Sequence, residues 1–539
     1  MQSLSAAEML DQSRCCWRRP RGCFLKRPLL AVFGALAALL GGAAAHADAS
    51  SEASAASYMS SIEGNPALLR MFLQAMPKGG DLHNHLPGVP SAEDYLGWAA
   101  DAGYCADRAT LELVAPPCDD DDKIEKIARS APFEFARLVN HLSTRGWQQG
   151  IGSNDVSGHT QFFITFDRLE VIAPIEGLVP AMMTVALRNA AGDGAAYLEL
   201  MHNPVPFGQF IFSAPDGPLD AAGLEKRLSR ELPFAAKAVA ASRAELDRSE
   251  AAVRKTLGCG TERAEPACDL KLKYLGSGLR GLPPGQVFRS LLVSFAMADA
   301  DPRFVGVNIV MPEDWPVSLR DYDLHMAMFR VLHRHFPEVR ITMHAGELAF
   351  GLVPPAEMKD HMRKAIEAGA ERIGHGTAIA YEDNADATLR GMARDGIAVE
   401  INLTSNAVIL GVSGAEHPLH LYRRYGVPVM LSTDDEGILR TDLTHEFVRA
   451  VLEQGLEYAD LKEMSRASLE YAFLPGPSLW RNGALGTPVS ECARSFTDPS
   501  CQTYLSRSER AAVQAGLEQK LEIFERNVTP VSLRKGNKG

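Results

Sequence analysis

The stretch "KGGDLHNHLPG", Lys78 to Gly88, sets an acid, two histidines separated by one asparagine, and then proline and glycine at the end of a short run. On a strand, His83 and His85 share one face, whereas on a helix side chains at i and i+2 diverge. The segment is therefore either an edge that grips a metal or a chance repeat, and the rest of the chain has to decide. Similar short apolar, β-branched runs ending in polar or glycine residues follow at 195–203 (AAYLELMHN), 304–314 (FVGVNIVMPED), 339–347 (VRITMHAGE), 371–376 (ERIGHG), 397–406 (IAVEINLTSN) and 427–435 (VPVMLSTDD).

Helix-like segments such as AEMKDHMRKAIEAGA (356–370) and NADATLRGMARDG (384–396) separate most of these runs. Alternating strand and helix imply a parallel sheet. Seven strands are visible, and an eighth, expected within residues 91–190, would close a (β/α)8 barrel. The fold expected is α/β, a TIM-type barrel with a helical insertion at about 205–290 and an N-terminal signal peptide. The insertion is longer than a crossover needs and contains a charged, helix-like stretch. The acidic run from Cys118 to Lys123 reads as a solvated loop, with calcium binding as the weaker alternative. No internal repeat is present.

The informative polar residues all fall at carboxyl ends of the expected strands: His83, His85, His344 and Glu347 in "HAGE", His375 in "GHG", and Asp434 and Asp435 in "STDD". In a β/α barrel that rim is where active sites are built. Three histidines and an aspartate are suitable zinc ligands that leave room for a water. A single histidine there can equally cap strand carbonyls, so the weight lies in the repetition. His333 and His335 have the same spacing but lie in a helix-like stretch, where they point apart.

The chain has 539 residues, of which 46% are hydrophobic, enough for a large core. Six basic residues between Arg14 and Arg27, an uncharged apolar stretch from Pro28 to Ala45, and "AHA" at 45–47 form a signal-peptide pattern, with cleavage expected after Ala47 and an uncleaved anchor as the alternative. Removing residues 1–47 takes away six basic and two acidic residues, moving the formal charge from −12 to −16. A chain this acidic has no general attraction to nucleic acid or anionic lipid. Cys105 and Cys118, Cys259 and Cys268, and Cys492 and Cys501 remain as three close pairs, a pattern of local loop staples in an oxidising, periplasmic or extracellular compartment. The expected organisation is a leader (1–47), a flexible Ser/Ala linker (48–60), the barrel (61–505) and a C-terminal helix and tail (506–539).

"HNH" after a strand, then "HAGE", "RIGHG", "TSN" and "STDD" in that order resemble the adenosine deaminase family of the amidohydrolase superfamily, including its secreted, growth-factor-related branch. The resemblance spans about residues 65–475. It implies one zinc per chain held by His83, His85, His344 and Asp434. It further implies that Glu347 faces N1 of a purine, that His375 acts on the activated water, and that Asp435 contacts that water or ring N7. The implied substrate is a purine nucleoside or base, deaminated by attack at C6. In secreted relatives extra segments mediate dimers, while helices with a polar face fit a monomer equally, so the oligomeric state stays open.

Two recognition positions depart from the family, and "STDDE" replaces the commoner "DDP". Pro87 stands where an acid usually reaches the sugar, and Met311 stands where a glycine usually approaches the purine. The metal and proton-transfer set is intact while the recognition set is altered, which leaves adenosine, deoxyadenosine, adenine and modified purines open. A binuclear amidohydrolase normally needs a lysine on its fourth strand, and FVGVNIVMPED has none. The other zinc deaminase fold needs P-C-x-x-C, which the chain lacks. An exported zinc-barrel protein that binds or signals without turnover is the reading from a different class.

Overall fold

The computed structural model describes residues 43–150, 156–213 and 219–528. The leader expected over 1–47 lies outside them except for the backbone of 43–47. Eight strands form one sheet in chain order: β1 (Gly79–His85), β2 (Ala195–Met201), β3 (Lys271–Leu279), β4 (Phe304–Val310), β5 (Arg340–Ala345), β6 (Arg372–His375), β7 (Ala398–Ile401) and β8 (Val429–Leu431). Each pairs in parallel with the next. A parallel bridge between Asn84 and Asp434 brings β8 back to β1. There the Asp434 N–H donates to the His83 carbonyl at 2.9 Å and the His85 N–H to the Asp434 carbonyl at 3.2 Å. Closure removes the unpaired edges that an open sheet would expose, and it brings the two ends of the candidate site together.

The remaining strand does not lie in 91–190. The described residues there form helices, including Gly158–Leu169 and Leu178–Gly192, and a two-stranded ribbon, Cys105–Ala106 with Leu113–Val114. The strand is β3, inside the stretch expected to be a helical insertion. Its sequence, KLKYLGSGL, hides it, because two lysines and two glycines dilute the apolar run. The glycines have a packing reason. A Cβ at Gly278 would lie 2.4 Å from Leu291, and one at Gly276 would lie 2.7 Å from the Ser294 Cβ. Both neighbours belong to the helix Pro284–Ala300, which β3 approaches closely. What precedes β3 is mainly one long crossover helix, Leu224–Thr256.

The expected flexible linker is also replaced. Residues 51–60 belong to a helix, Ala43–Ile62, in which Ala55, Met59 and Ile62 are buried. Alanine favours helix, and these three positions at i, i+4 and i+7 form one apolar stripe that the polar composition masks. Tyr58 packs edge-on against Phe72 at 5.7 Å. Lys462 bonds both Glu52 (2.8 Å) and Glu525 (2.6 Å), tying this helix to the C-terminal helix Glu509–Asn527.

Three disulfides join Cys105 to Cys118, Cys259 to Cys268 and Cys492 to Cys501. Asp120, Asp121 and Asp122 form a solvated turn paired with Lys123, Lys126 and Arg108. His333 and His335 lie in the helix Tyr322–His335. Among the described residues no helix is long and apolar enough to cross a membrane.

Candidate metal and catalytic centre

The residues singled out at the strand ends converge at one mouth of the barrel. His83, His85, His344 and Asp434 each present a donor atom, all within 4.8 Å of one another. His83 and His85 come from the end of β1, His344 from β5, and Asp434 from the loop after β8. His83 Nε2 and His85 Nε2 lie 3.0 and 3.1 Å from His344 Nε2, and Asp434 Oδ1 lies 3.2 Å from His85 Nε2.

Buried partners fix the orientation of two of these rings. His83 Nδ1 donates to Glu400 Oε2 at 2.6 Å, and His344 Nδ1 to Asn308 Oδ1 at 3.0 Å. Those bonds place the proton of each neutral ring on Nδ1 and leave its Nε2 lone pair facing inward. Two lone pairs pointed at each other across 3.0 Å repel, and a cation between them converts that repulsion into coordination. The donor set thus fits a divalent metal of zinc's preferences. Glu400 is itself held by Arg372 Nε (2.6 Å) and Thr342 Oγ1 (2.8 Å). Burial opposes its charge, but Arg372 and the hydrogen bond from His83 outweigh burial and lower it to about 2.

A second group, Glu347, His375 and Asp434, shares the aspartate. His375 Nε2 lies 3.6 Å from Glu347 Oε1 and 3.7 Å from Asp434 Oδ2. Burial lowers His375 to about 3, so its ring is neutral at pH 7. Its Nδ1 lies 2.9 Å from Asn406 Nδ2, and Asn406 Oδ1 in turn meets His417 Nε2 at 3.0 Å. An Asn406 N–H donating to Nδ1 leaves the ring proton on Nε2, facing the two carboxylates. His375 and Asp434 both have left-handed backbones, φ 64° and 63°. For side-chain-bearing residues these are strained conformations, of a kind that clusters at functional sites. The glycine before His375 makes room for a ligand, since a Cβ at Gly374 would lie 2.6 Å from His83 Cε1.

Glu347 is placed by its backbone. Its N–H and that of Gly346 donate to Glu313 at 2.9 and 3.1 Å. Burial, then the charge of Asp434, push the Glu347 carboxyl well above the usual range, against the opposing Arg280. Burial and then Asp434 raise Asp435 likewise.

Glu347, Asp434 and Asp435 line a cavity of about 380 Å³ together with His85 and His344, within the size range of small-molecule sites. Pro87 and Met311 also line it. Met311 has φ 80°, and its carbonyl accepts from Arg280 Nε at 2.7 Å. Glu400, Asn308, Asn406 and Glu313 escaped the sequence reading. Each lies within or just beyond a quoted motif, but only the tertiary contacts show what it orients. The aromatic wall of Phe162, Phe163, Phe166 and Phe212 gave no signal distinguishable from core.

Residues 229–480 match the adenosine deaminase family model. The matched span contains His344, Glu347, His375, Asp434 and Asp435, while His83 and His85 precede it. An adenosine deaminase of Serratia proteamaculans is 38% identical over 137 residues, 25% of this chain and 38% of that protein. One of Escherichia coli is 36% identical over 146 residues, 26% of this chain and 41% of that protein. The chain thus spans about two fifths of the length of the curated relatives it matches. Among solved structures, an amidohydrolase of Burkholderia ambifaria with bound zinc shares the fold, with TM-score 0.51 and 15% identity over 85% of this chain and 95% of that one.

Proposed function

We propose that this chain is a zinc-dependent aminohydrolase that converts adenosine or a related 6-aminopurine, with water, to the 6-oxopurine and ammonia. The observation that carries the reading is the meeting of three imidazole nitrogens and Asp434 beside a cavity that also holds a buried, high-pKa glutamate. The domain match and the adenosine deaminase relatives support the same chemistry.

Zinc bound by His83, His85, His344 and Asp434 would lower the pKa of a water from about 15.7 toward about 7 and so supply the nucleophile at neutral pH. Addition of water at C6 pushes an electron pair onto N1. Glu347, kept protonated by burial, donates its proton there. His375 hydrogen-bonds the incoming water through its inward N–H and steers it toward C6. The neighbouring Asp435 orients water or base. The proton displaced from the water passes to the amino group, so the C6–N bond breaks and ammonia leaves; the C6 hydroxyl then returns its proton to the Glu347 carboxylate, and the C6 oxygen remains. The apolar wall keeps competing water out. The three disulfides support the further proposal that the protein works outside the cytoplasm, in an oxidising compartment.

The test is the fall in ultraviolet absorbance as a panel of aminopurines and aminopyrimidines is offered to purified protein before chelation, after chelation and after zinc is restored. Turnover that disappears and returns with zinc supports the enzyme. Zinc bound without turnover of any panel member replaces it with a binding protein.

A further inference from the structure

The cavity is polarised in a way that the reaction itself does not require. Its lining holds two of the imidazoles, His85 and His344, and the three carboxyl groups already described, and it also includes four phenylalanines, three of them on the helix Gly158–Leu169. The same helix contributes one further acid to the lining, Asp167, exposed to solvent at the mouth while the catalytic groups are buried. Among the described residues no hydrogen bond or ion pair occupies the Asp167 carboxylate. Pro87, beside His85, offers no hydrogen-bonding side chain. Among the described residues that line the cavity there is no lysine or arginine, the side chains that phosphate recognition uses.

Resting on the aminohydrolase reading, we propose that Asp167 determines the substrate class: its carboxylate accepts a hydrogen bond from a sugar hydroxyl of an unphosphorylated nucleoside and repels the corresponding nucleotide. The geometry separates the two tasks. With the base against Glu347 and the metal ligands, which are buried, the group attached to it points toward the exposed part of the lining, which holds Asp167. A hydroxyl there finds a free acceptor. A phosphate there meets a carboxylate, with no cation among the described lining residues to offset its charge, and a like-charge contact of this kind strongly disfavours binding.

Steady-state kinetics of the zinc-loaded protein and of Asp167→Asn and Asp167→Ala, with adenosine as substrate and AMP as both substrate and competitive inhibitor, tests this. Loss of a hydrogen bond to a charged group predicts a fall of about tenfold in kcat/KM for adenosine in Asp167→Ala, read mainly in KM. Removal of the charge predicts AMP inhibition about tenfold tighter in both variants. A merely structural role moves both compounds in the same direction, and that result overturns the assignment. So does a wild-type protein that prefers AMP to adenosine. Turnover of adenosine with unaltered ratios in the variants removes Asp167 alone, whereas absence of any turnover by the wild type removes the aminohydrolase reading with it.

Discussion

Glu400→Gln isolates the network beneath the candidate metal site. In the wild type the carboxylate accepts from His83 Nδ1, Arg372 Nε and Thr342 Oγ1, all fully buried. The amide keeps the shape and removes the charge, so among the described residues Arg372 retains only Glu199 as a carboxylate partner. The cost can be approached in two ways. Breaking a buried pair by neutralising one partner costs about 3–5 kcal/mol. Independently, Glu400 lies at about 2 rather than its ordinary 4.5, and at about 1.4 kcal/mol per pH unit that displacement is worth about 3 kcal/mol. The group's folded pKa is depressed, so this stability is fully present above pH 4.5 and is lost as the pH falls toward 2. Urea unfolding of the chelated protein at pH 7 reads the difference, expected at about 3 kcal/mol. The ring orientation of His83 depends on the same carboxylate, so zinc competition should show affinity weakened about 10–100-fold. A variant within about 0.5 kcal/mol of wild type that binds zinc equally well would refute the account of Glu400 as the anchor of His83 and counter-ion of Arg372.

Glu347→Gln is expected to retain zinc and lose about 100-fold or more in kcat, because an amide cannot protonate N1; an unchanged rate removes Glu347 from the mechanism. Met311→Gly relieves a positive-φ residue and opens the cavity wall, so KM for purines with larger substituents should fall relative to that for adenosine, and equal changes for all substrates would contradict Met311 as a wall of the site. His202 and His325 are buried and lowered by burial to about 4. The unfolded chain binds their protons below about 6.5 while the folded chain does not, so each subtracts up to about 3 kcal/mol as the pH falls from 6.5 to 4. Denaturation of the wild type, His202→Phe and His325→Phe at pH 7 and pH 5 measures this against the opposing carboxyls of Asp81 and Glu382, which burial raises to about 6 and about 7, and variants with the wild type's pH dependence would contradict it.

Much of the site was legible because its chemistry sits where strands end. Two histidines two apart after a strand must share a face, and "HAGE", "GHG" and "STDD" repeat the same position on later strands. The cysteine spacing suggested local staples without fixing their connectivity, and the structure joins each close pair. Where local pattern and tertiary need diverged, the reading failed. β3 gave up its apolar run to glycines that admit Leu291 and Ser294, and the Ser/Ala-rich segment at 51–60 packs on a stripe only three residues long.

The sequence by itself determined the alternating α/β architecture, the identity of the rim residues and their order along the chain, since periodicity and residue chemistry are local properties. Only the tertiary structure decided which strand completes the barrel, that Glu400 and Asn308 turn His83 and His344 inward, and that Asp167 shares a cavity with Glu347. Those are relations between residues tens to hundreds of positions apart, brought into contact when the bridge between Asn84 and Asp434 closes the sheet on itself.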